Sequence, residues 1–368
     1  MASPKEWPRL SFQEALELIK LPDKTNASQT VKRFMSRQPA WVPGQDLPEE
    51  CLGLIGPKST RGSYGGVVYA QASLAAARIV EQEDREQGND LNGNGRGIHS
   101  INAIFTSPGR SDRPFIFDVS HVLSSRSFST RLVSVRQSTQ PSSNPPGPFP
   151  ISDAEAILGN TCLACLVTFK RPVPSRDEVQ GIPPQQRYKD ILSTKAPADW
   201  GPCPQLDIDA IKQVFSDTDH GTFPILDMHQ VDMTAYNADK PIPDRRELIY
   251  YRLLKPIPKE DVNVHILCHA FQADRNGLLI LGNYLGYGHD MGKVASLSYS
   301  FYVHVNAKEA VMEGDSWWMH EVCWSRYSAG RGTMKSSIWS PQGKHVATGL
   351  QDGIVMPMTT KPGREAKM

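Results

Sequence analysis

Neither charge sign is in excess here: 40 Lys and Arg stand against 39 Asp and Glu in 368 residues, and no basic run is interleaved with aromatics. The electrostatic footprint for nucleic acid is therefore missing, and a nucleotide-bearing ligand would have to be held by a few local residues. No apolar stretch approaches the roughly 18 to 20 residues that span a bilayer, and the opening MASPKEWPRLSFQEALELI lacks the apolar core of a signal peptide. A soluble intracellular protein with no membrane span is expected. Cysteine is sparse: Cys51, Cys162, Cys165, Cys203, Cys268 and Cys323 are scattered along the chain, which suits buried thiols better than a disulfide framework. The single C-x-x-C, Cys162 and Cys165, has no second pair and no His spacing, so a metal site is not expected, and its setting TCLACLVTF reads as a strand. No G-x-S-x-G occurs, which disfavours an α/β-hydrolase, and the GNGRG run sits in a polar loop outside any P-loop or dinucleotide context.

What is present centres on VNVHILCHAFQADRNGLL, residues 262–279. Val264, Leu267, Phe271 and Asp274 are three or four residues apart and share one face of a helix. Asn276-Gly277 supplies a C-cap, placing Asp274 in the last turn, where the negative end of the helix dipole resists its ionisation. On spacing alone, an Asp turned outward at a fraying helix end fits better than a functional one. A second strong helix opens at Ser63-Tyr64-Gly65-Gly66, with Val68, Ala72, Ala75 and Ile79 on a narrow face, and stops at the polar EQEDREQGNDLNGNGRG. Alternating runs follow, such as Phe115, Phe117, Val119 and then Leu132, Val133, Val135, and they argue for antiparallel strands with one buried face.

Residues 8–20 read as a short amphipathic helix with a Ser11/Glu14 capping box. Ser138 to about Gly159 is rich in Pro, Ser and Gly and reads as a mobile surface insertion with no core element. The proline-rich stretch 172–204 reads as the linker between halves. Beyond it the order of strand, helix and four-strand meander repeats, through VASLSYSFYVHV, DSWWMHEVCWSRYS, GRGTMKSSIWSPQG and HVATGLQDGIVM. The domains are set at 1–190, carrying the insertion near 138–159, and 191–368.

The Asp274 segment, followed by Ala295-Ser296-Leu297 and Leu350-Gln351-Asp352-Gly353, resembles the type II acyl-CoA thioesterases. GGVVYAQASLAAA, HSINAIFTSPG and SFSTRLV are similar to the first hotdog of the same family, and the resemblance spans about residues 50–172 and 223–357. It implies an α+β tandem hotdog, two antiparallel sheets each wrapped around a long central helix and joined through their edges. It also implies hydrolysis of an acyl-CoA thioester to a carboxylic acid and CoA, with a water held by Asp274, Ser296 and Gln351. CoA is then part of the substrate and no cofactor is needed.

Asp274 can accept a proton, Ser296 and Gln351 can orient it, and Gly65-Gly66 lets a substrate approach free N–H groups at a helix N-terminus. Lys58, Arg61 and Arg275 are the candidates for the nucleotide end. The family's strand continues with an Asp-His pair where this chain has Ser298-Tyr299, although His304 is kept. That departure leaves open a hotdog protein that binds acyl-CoA without hydrolysing it, or a thioesterase of a specialised pathway. Should Asp274 not serve, Asp290, His289 and His304 are next. Ala366-Lys367-Met368 resembles the tripeptide read by the peroxisomal import receptor, so a peroxisomal location is expected, with the cytoplasm as the alternative. Homo-oligomerisation is left open.

Overall fold

The computed structural model describes residues 10–25, 29–44, 62–89, 94–209, 211 and 225–358. Cys51, Lys58, Arg61 and the Ala366-Lys367-Met368 tripeptide lie outside the described residues. The first half contains β1 (Leu18–Thr25), β2 (Thr30–Ser36), helix α1 (Gly65–Glu86), β3 (Gly97–Phe105), β4 (Phe115–Ser124), β5 (Phe128–Ser138) and β6 (Leu158–Lys170). The second contains β7 (Gly201–Pro202), β8 (Leu226–Gln230), β9 (Glu247–Leu253), α2 (Val262–Ala273), α3 (Gly277–Tyr284), β10 (Met291–Val303), β11 (Trp318–Ser328), β12 (Arg331–Trp339) and β13 (His345–Pro357).

These strands form one continuous antiparallel sheet in the order β1-β2-β4-β5-β6-β3-β10-β13-β12-β11-β9-β8-β7. Read outward from the centre, β3-β6-β5-β4-β2-β1 and β10-β13-β12-β11-β9-β8 have the same connectivity, so the repeat expected from pattern is a repeat of topology. The fold is a tandem hotdog of the α+β class. The two half-sheets are fused by direct pairing of β3 with β10, where Ser300 lies opposite Asn102 and Tyr302 opposite Ser100. Pairing these inner strands removes two edges that would otherwise present unpaired backbone groups.

Both central helices are buried on nearly every side. In α1 every residue from Gly66 to Ala77 is buried, and in α2 every residue from Asn263 to Ala273. Each helix meets the sheet on one side and the other helix on the other, which the single apolar stripe did not foresee. The run of alanines makes this crowding sterically feasible. α1 also runs through the first turn of the polar stretch, to Glu86, because buried Asp84 accepts from Arg96 N at 2.7 Å and Arg96 Nε at 2.9 Å.

Two sequence expectations change. The helix expected over residues 8–20 is one turn, Phe12–Ala15; its capping box is formed, with Ser11 N donating to Glu14 at 2.7 Å and Glu14 N to Ser11 Oγ at 3.2 Å. From Leu18 the chain instead pairs with β2, which satisfies its backbone groups and carries Leu21 into the core. The insertion is anchored rather than free of the core. Phe149, 2% exposed, packs with Leu21, Met35 and Ile116, and its N–H donates to Arg37 O at 2.8 Å. Ser142 Oγ donates to Asp153 Oδ2 at 2.5 Å across the same loop. Phe149→Ala should therefore destabilise the fold by about 3 kcal/mol or more, through lost burial and the cavity left behind. The denaturant midpoint of the variant measures this, and an unchanged midpoint would return the segment to the status of a surface appendage.

Candidate active site

α1 and α2 lie antiparallel. At one end the Tyr64 hydroxyl donates to Phe271 O at 3.0 Å, while at the other Arg78 pairs with Asp261 at 2.9 Å and Asn263 Nδ2 donates to Glu81 Oε1 at 2.8 Å. α2 ends on Asp274 as its C-cap, Asn276 takes the left-handed conformation at φ 41°, and the chain starts again as α3. The break leaves Asp274 against the N-terminus of α1, 7% exposed, where the Gly66 N–H donates to its carboxylate. The C-terminal end of α2 opposes ionisation and the N-terminal end of α1 favours it.

Ser296 arrives by way of a β-bulge. Ser296 pairs with Gly353 and Ser298 with Asp352, leaving Leu297 as an extra residue on β10. Before the bulge Lys293 and Ala295 are exposed, so Val294 and Ser296 face inward; beyond it Tyr299, Phe301 and Val303 are the buried residues. Without that one-residue slip, Leu297 would face the helices in place of Ser296. On neighbouring β13, Gln351 is buried and its Nε2 donates to Ser296 Oγ at 2.6 Å and to Asp274 Oδ1. Ser296 Oγ donates to the same oxygen at 3.5 Å.

Ser296 and Gln351, 22 and 77 positions further along the chain, thus converge on the Asp274 carboxylate. Burial pushes Asp274 up from its ordinary 3.8 to about 7, against the hydrogen bonds from Gln351, Gly66 and Ser296, which favour the ionised form. A carboxylate that gives up its proton near neutrality, held by three donors, is suited to act as a general base on water.

The other residues singled out from sequence fall in different places. Gly65 leaves the carboxylate uncovered: a Cβ there would stand 3.2 Å from Asp274 Oδ2 and 3.3 Å from the Phe105 ring. Arg275 is not a surface cation for a nucleotide phosphate. It is 0% exposed and donates to Pro204 O, because the turn after α2 folds it inward. Asp290 and His289 lie on an exposed turn before β10. His304 is hydrogen-bonded to Thr348 at 2.8 Å and lines a cleft of about 1840 Å³ at the other end of the helices, beside Arg78, Asp261 and Asn263. That cleft does not include Asp274, Ser296 or Gln351. Several of its cations are already paired, Arg78 with Asp261 and Glu81, and Lys344 with Glu178 and Glu309, so its volume alone does not mark it as the reactive centre. Among the described residues no group of three or more His, Cys, Asp or Glu side chains could hold a metal ion, and no helix is long and apolar enough to cross a membrane.

Sequence reasoning missed the bulge, the Gly66 N–H clamp on Asp274 and the inward position of Tyr299 opposite Gln351. The signal for the bulge is faint: the inward parity changes from Val294 and Ser296 to Tyr299, Phe301 and Val303 within a single run.

Residues 56–170 match the family model described as the acyl-CoA thioesterase N-terminal domain. A curated relative, acyl-CoA thioesterase 2 of Haemophilus influenzae, is 24% identical over 301 residues, covering 80% of this chain and 88% of the relative. Among solved structures, an acyl-CoA thioesterase II, TesB2, from Mycobacterium marinum superposes with a TM-score of 0.56 at 16% identity, covering 95% of this chain and 99% of that one. A hot dog fold protein from Alicyclobacillus acidocaldarius superposes with a TM-score of 0.55 at 11% identity, covering 94% and 97%. At these identities the structural likenesses speak for the fold.

Proposed function

We propose, from the premise that this chain is a thioester hydrolase built on an acyl-CoA thioesterase N-terminal domain, that it hydrolyses an acyl-CoA with Asp274 as the base for water. The observation that supports this reading best is the buried Asp274 carboxylate, deprotonating near 7, held by Ser296, Gln351 and the Gly66 N–H.

Asp274 takes a proton from a water as the water oxygen attacks the thioester carbonyl carbon. Ser296 and Gln351 hold the carboxylate and the water in line, since each can donate to one and accept from the other. The negative charge that develops on the carbonyl oxygen falls near the N-terminus of α1, where the positive end of the helix dipole stabilises an anion. Collapse of the tetrahedral intermediate breaks the C–S bond. The proton on Asp274 returns to the leaving CoA thiolate, and the products are the carboxylic acid and CoA.

Thiol release from short, medium and long acyl-CoAs tests this directly. Ser296→Ala and Gln351→Ala should each lower turnover by about tenfold to a hundredfold, since each removes an orienting contact and leaves the base in place. Their double variant should fall well short of the product of the two losses, because both act on one water. A wild-type protein that releases no thiol from any chain length, or single variants with unchanged rates, would sink the assignment.

A further inference from the structure

The catalytic centre has a topological twin in the first half. β10 slips by one residue against β13 between Ser296 and Ser298, and β3 slips in the same way against β6 between Ile98 and Ser100. Ile98 therefore holds the place of Ser296. Gln351 lies opposite Tyr299, three residues beyond Ser296, and the residue opposite Ile101, three beyond Ile98, is Val167. Asp274 follows the first residue of α2 by twelve positions, and twelve positions after the first residue of α1 stands Ala77. Asp, Ser and Gln at one end of the helix pair thus become Ala, Ile and Val at the other, all three buried.

The reactive groups are gone from the twin, but the space is not. The cleft of about 1840 Å³ lies at this end, and Ile98, Val262 and Asn263 line it. Where the N-terminus of α1 brings the Gly66 N–H to the Asp274 carboxylate, the N-terminus of α2 brings the Asn263 side chain to the bulge of β3. Its Oδ1 accepts from Ile98 N at 2.9 Å and its Nδ2 donates to Glu81 Oε1 at 2.8 Å. A fully engaged amide stands where the catalytic end has a carboxylate that can take a proton.

The walls also carry more positive charge than they pair. Among the described residues, Arg85, Lys170, Arg176 and Lys308 line the cleft with no ion pair or side-chain hydrogen bond, and the lining acids in the same condition are Asp177 and Glu260. Four such cations against two such anions favour a ligand that brings several negative charges. The volume exceeds the roughly 300 to 1,000 Å³ of most small-molecule sites, so the ligand can be long. We propose that this cleft is a second, non-hydrolytic site for the CoA moiety, taken up as free CoA or as a thioester, with Arg85, Arg176 and Lys308 meeting its phosphates. The choice of CoA rests on the hydrolase reading above, since the two ends of the helix pair are built from equivalent helices and strands. The site itself is separate from Asp274 and does no chemistry.

Calorimetric titration with CoA, and with S-decyl-CoA, a thioether that has no carbonyl to hydrolyse, tests the proposal. The proteins are the wild type, Asp274→Asn, Arg176→Glu and the triple charge reversal Arg85→Glu, Arg176→Glu, Lys308→Glu. Wild type and Asp274→Asn should each bind two ligands per chain. The triple reversal should weaken one of the two events by at least about tenfold and leave the other unchanged, and Arg176→Glu should weaken the same event by less. All three substituted residues are exposed, so the Tm should stay near that of the wild type. A single event that the reversal abolishes also supports the cleft. One event per chain with the same Kd in wild type and triple reversal, two events that both ignore the reversal, or no binding of either ligand overturns the proposal. Thiol release by the wild type is read beside these titrations. Hydrolysis with one charge-indifferent event keeps the catalytic reading and removes the cleft, whereas a charge-sensitive event in a protein that releases no thiol does the reverse.

Discussion

Asp274→Asn is expected to lower turnover on acyl-CoA by roughly 10² to 10⁴ while changing substrate affinity little. The substitution keeps the shape of the side chain at the C-cap of α2, and the amide can still accept from Gln351 Nε2 through its oxygen. What it removes is the proton acceptor, which is needed only as the transition state forms. The loss should therefore appear in kcat and kcat/KM together, with KM nearly constant. Because Ser296 and Gln351 work through the same carboxylate, a triple variant should be little slower than Asp274→Asn alone. Steady-state thiol release gives the answer, and an Asp274→Asn protein with undiminished rate would redirect the search for a base.

Much of this centre was legible in the chain because its parts are local. The spacing of Val264, Leu267, Phe271 and Asp274, with Asn276-Gly277 behind them, fixes a helix with no knowledge of the rest, and the structure caps α2 at Asp274, two residues before Asn276, which instead caps the start of α3. Ser296 and Gln351 carry no such local signal. Each is an ordinary polar residue on a strand, identifiable only by its order relative to Asp274 and by resemblance, and each is brought to Asp274 by pairing between β10 and β13.

The missed features are nonlocal. The joining of the half-sheets at their edges is not among them, since the resemblance implies it, but periodicity alone holds no information on it because β3 meets β10 across almost 200 residues. The edge strand β1 mixes Lys, Asp and apolar residues because most of it is exposed, so its start carries no clear period of two and the helix expected over residues 8–20 overruns the single turn that forms. Phe149 sits among prolines and serines, and only the fold reveals that its ring fills a gap between Leu21 and Ile116. Arg275 looked like a free cation because charge next to a helix end is normally solvated; here the chain turns it toward the Pro204 carbonyl instead.

The pH dependence of activity and of stability should run in opposite directions, and both should trace to Asp274. The base works only when ionised, so turnover should fall about tenfold per pH unit as pH drops below about 7, with a plateau above it. For stability, the folded state keeps the Asp274 proton up to about pH 7, while the unfolded chain releases it near the ordinary value of 3.8. Between those values the folded state binds more protons than the unfolded one, so stability falls as pH rises. The stabilising contribution of the protonated group is complete below 3.8 and lost once pH passes 7, and the gap between the two values corresponds to about 4 kcal/mol. Asp274→Asn carries no proton to lose. Above pH 7 it should be more stable than the wild type by up to about 4 kcal/mol while being nearly inactive, and the difference should shrink toward pH 4. Denaturant unfolding of both proteins at pH 4.5 and pH 8, beside the pH profile of kcat, measures the two halves together. Parallel stability curves, or an acid limb that persists in the residual activity of the variant, would show that burial does not hold the Asp274 proton in the folded enzyme.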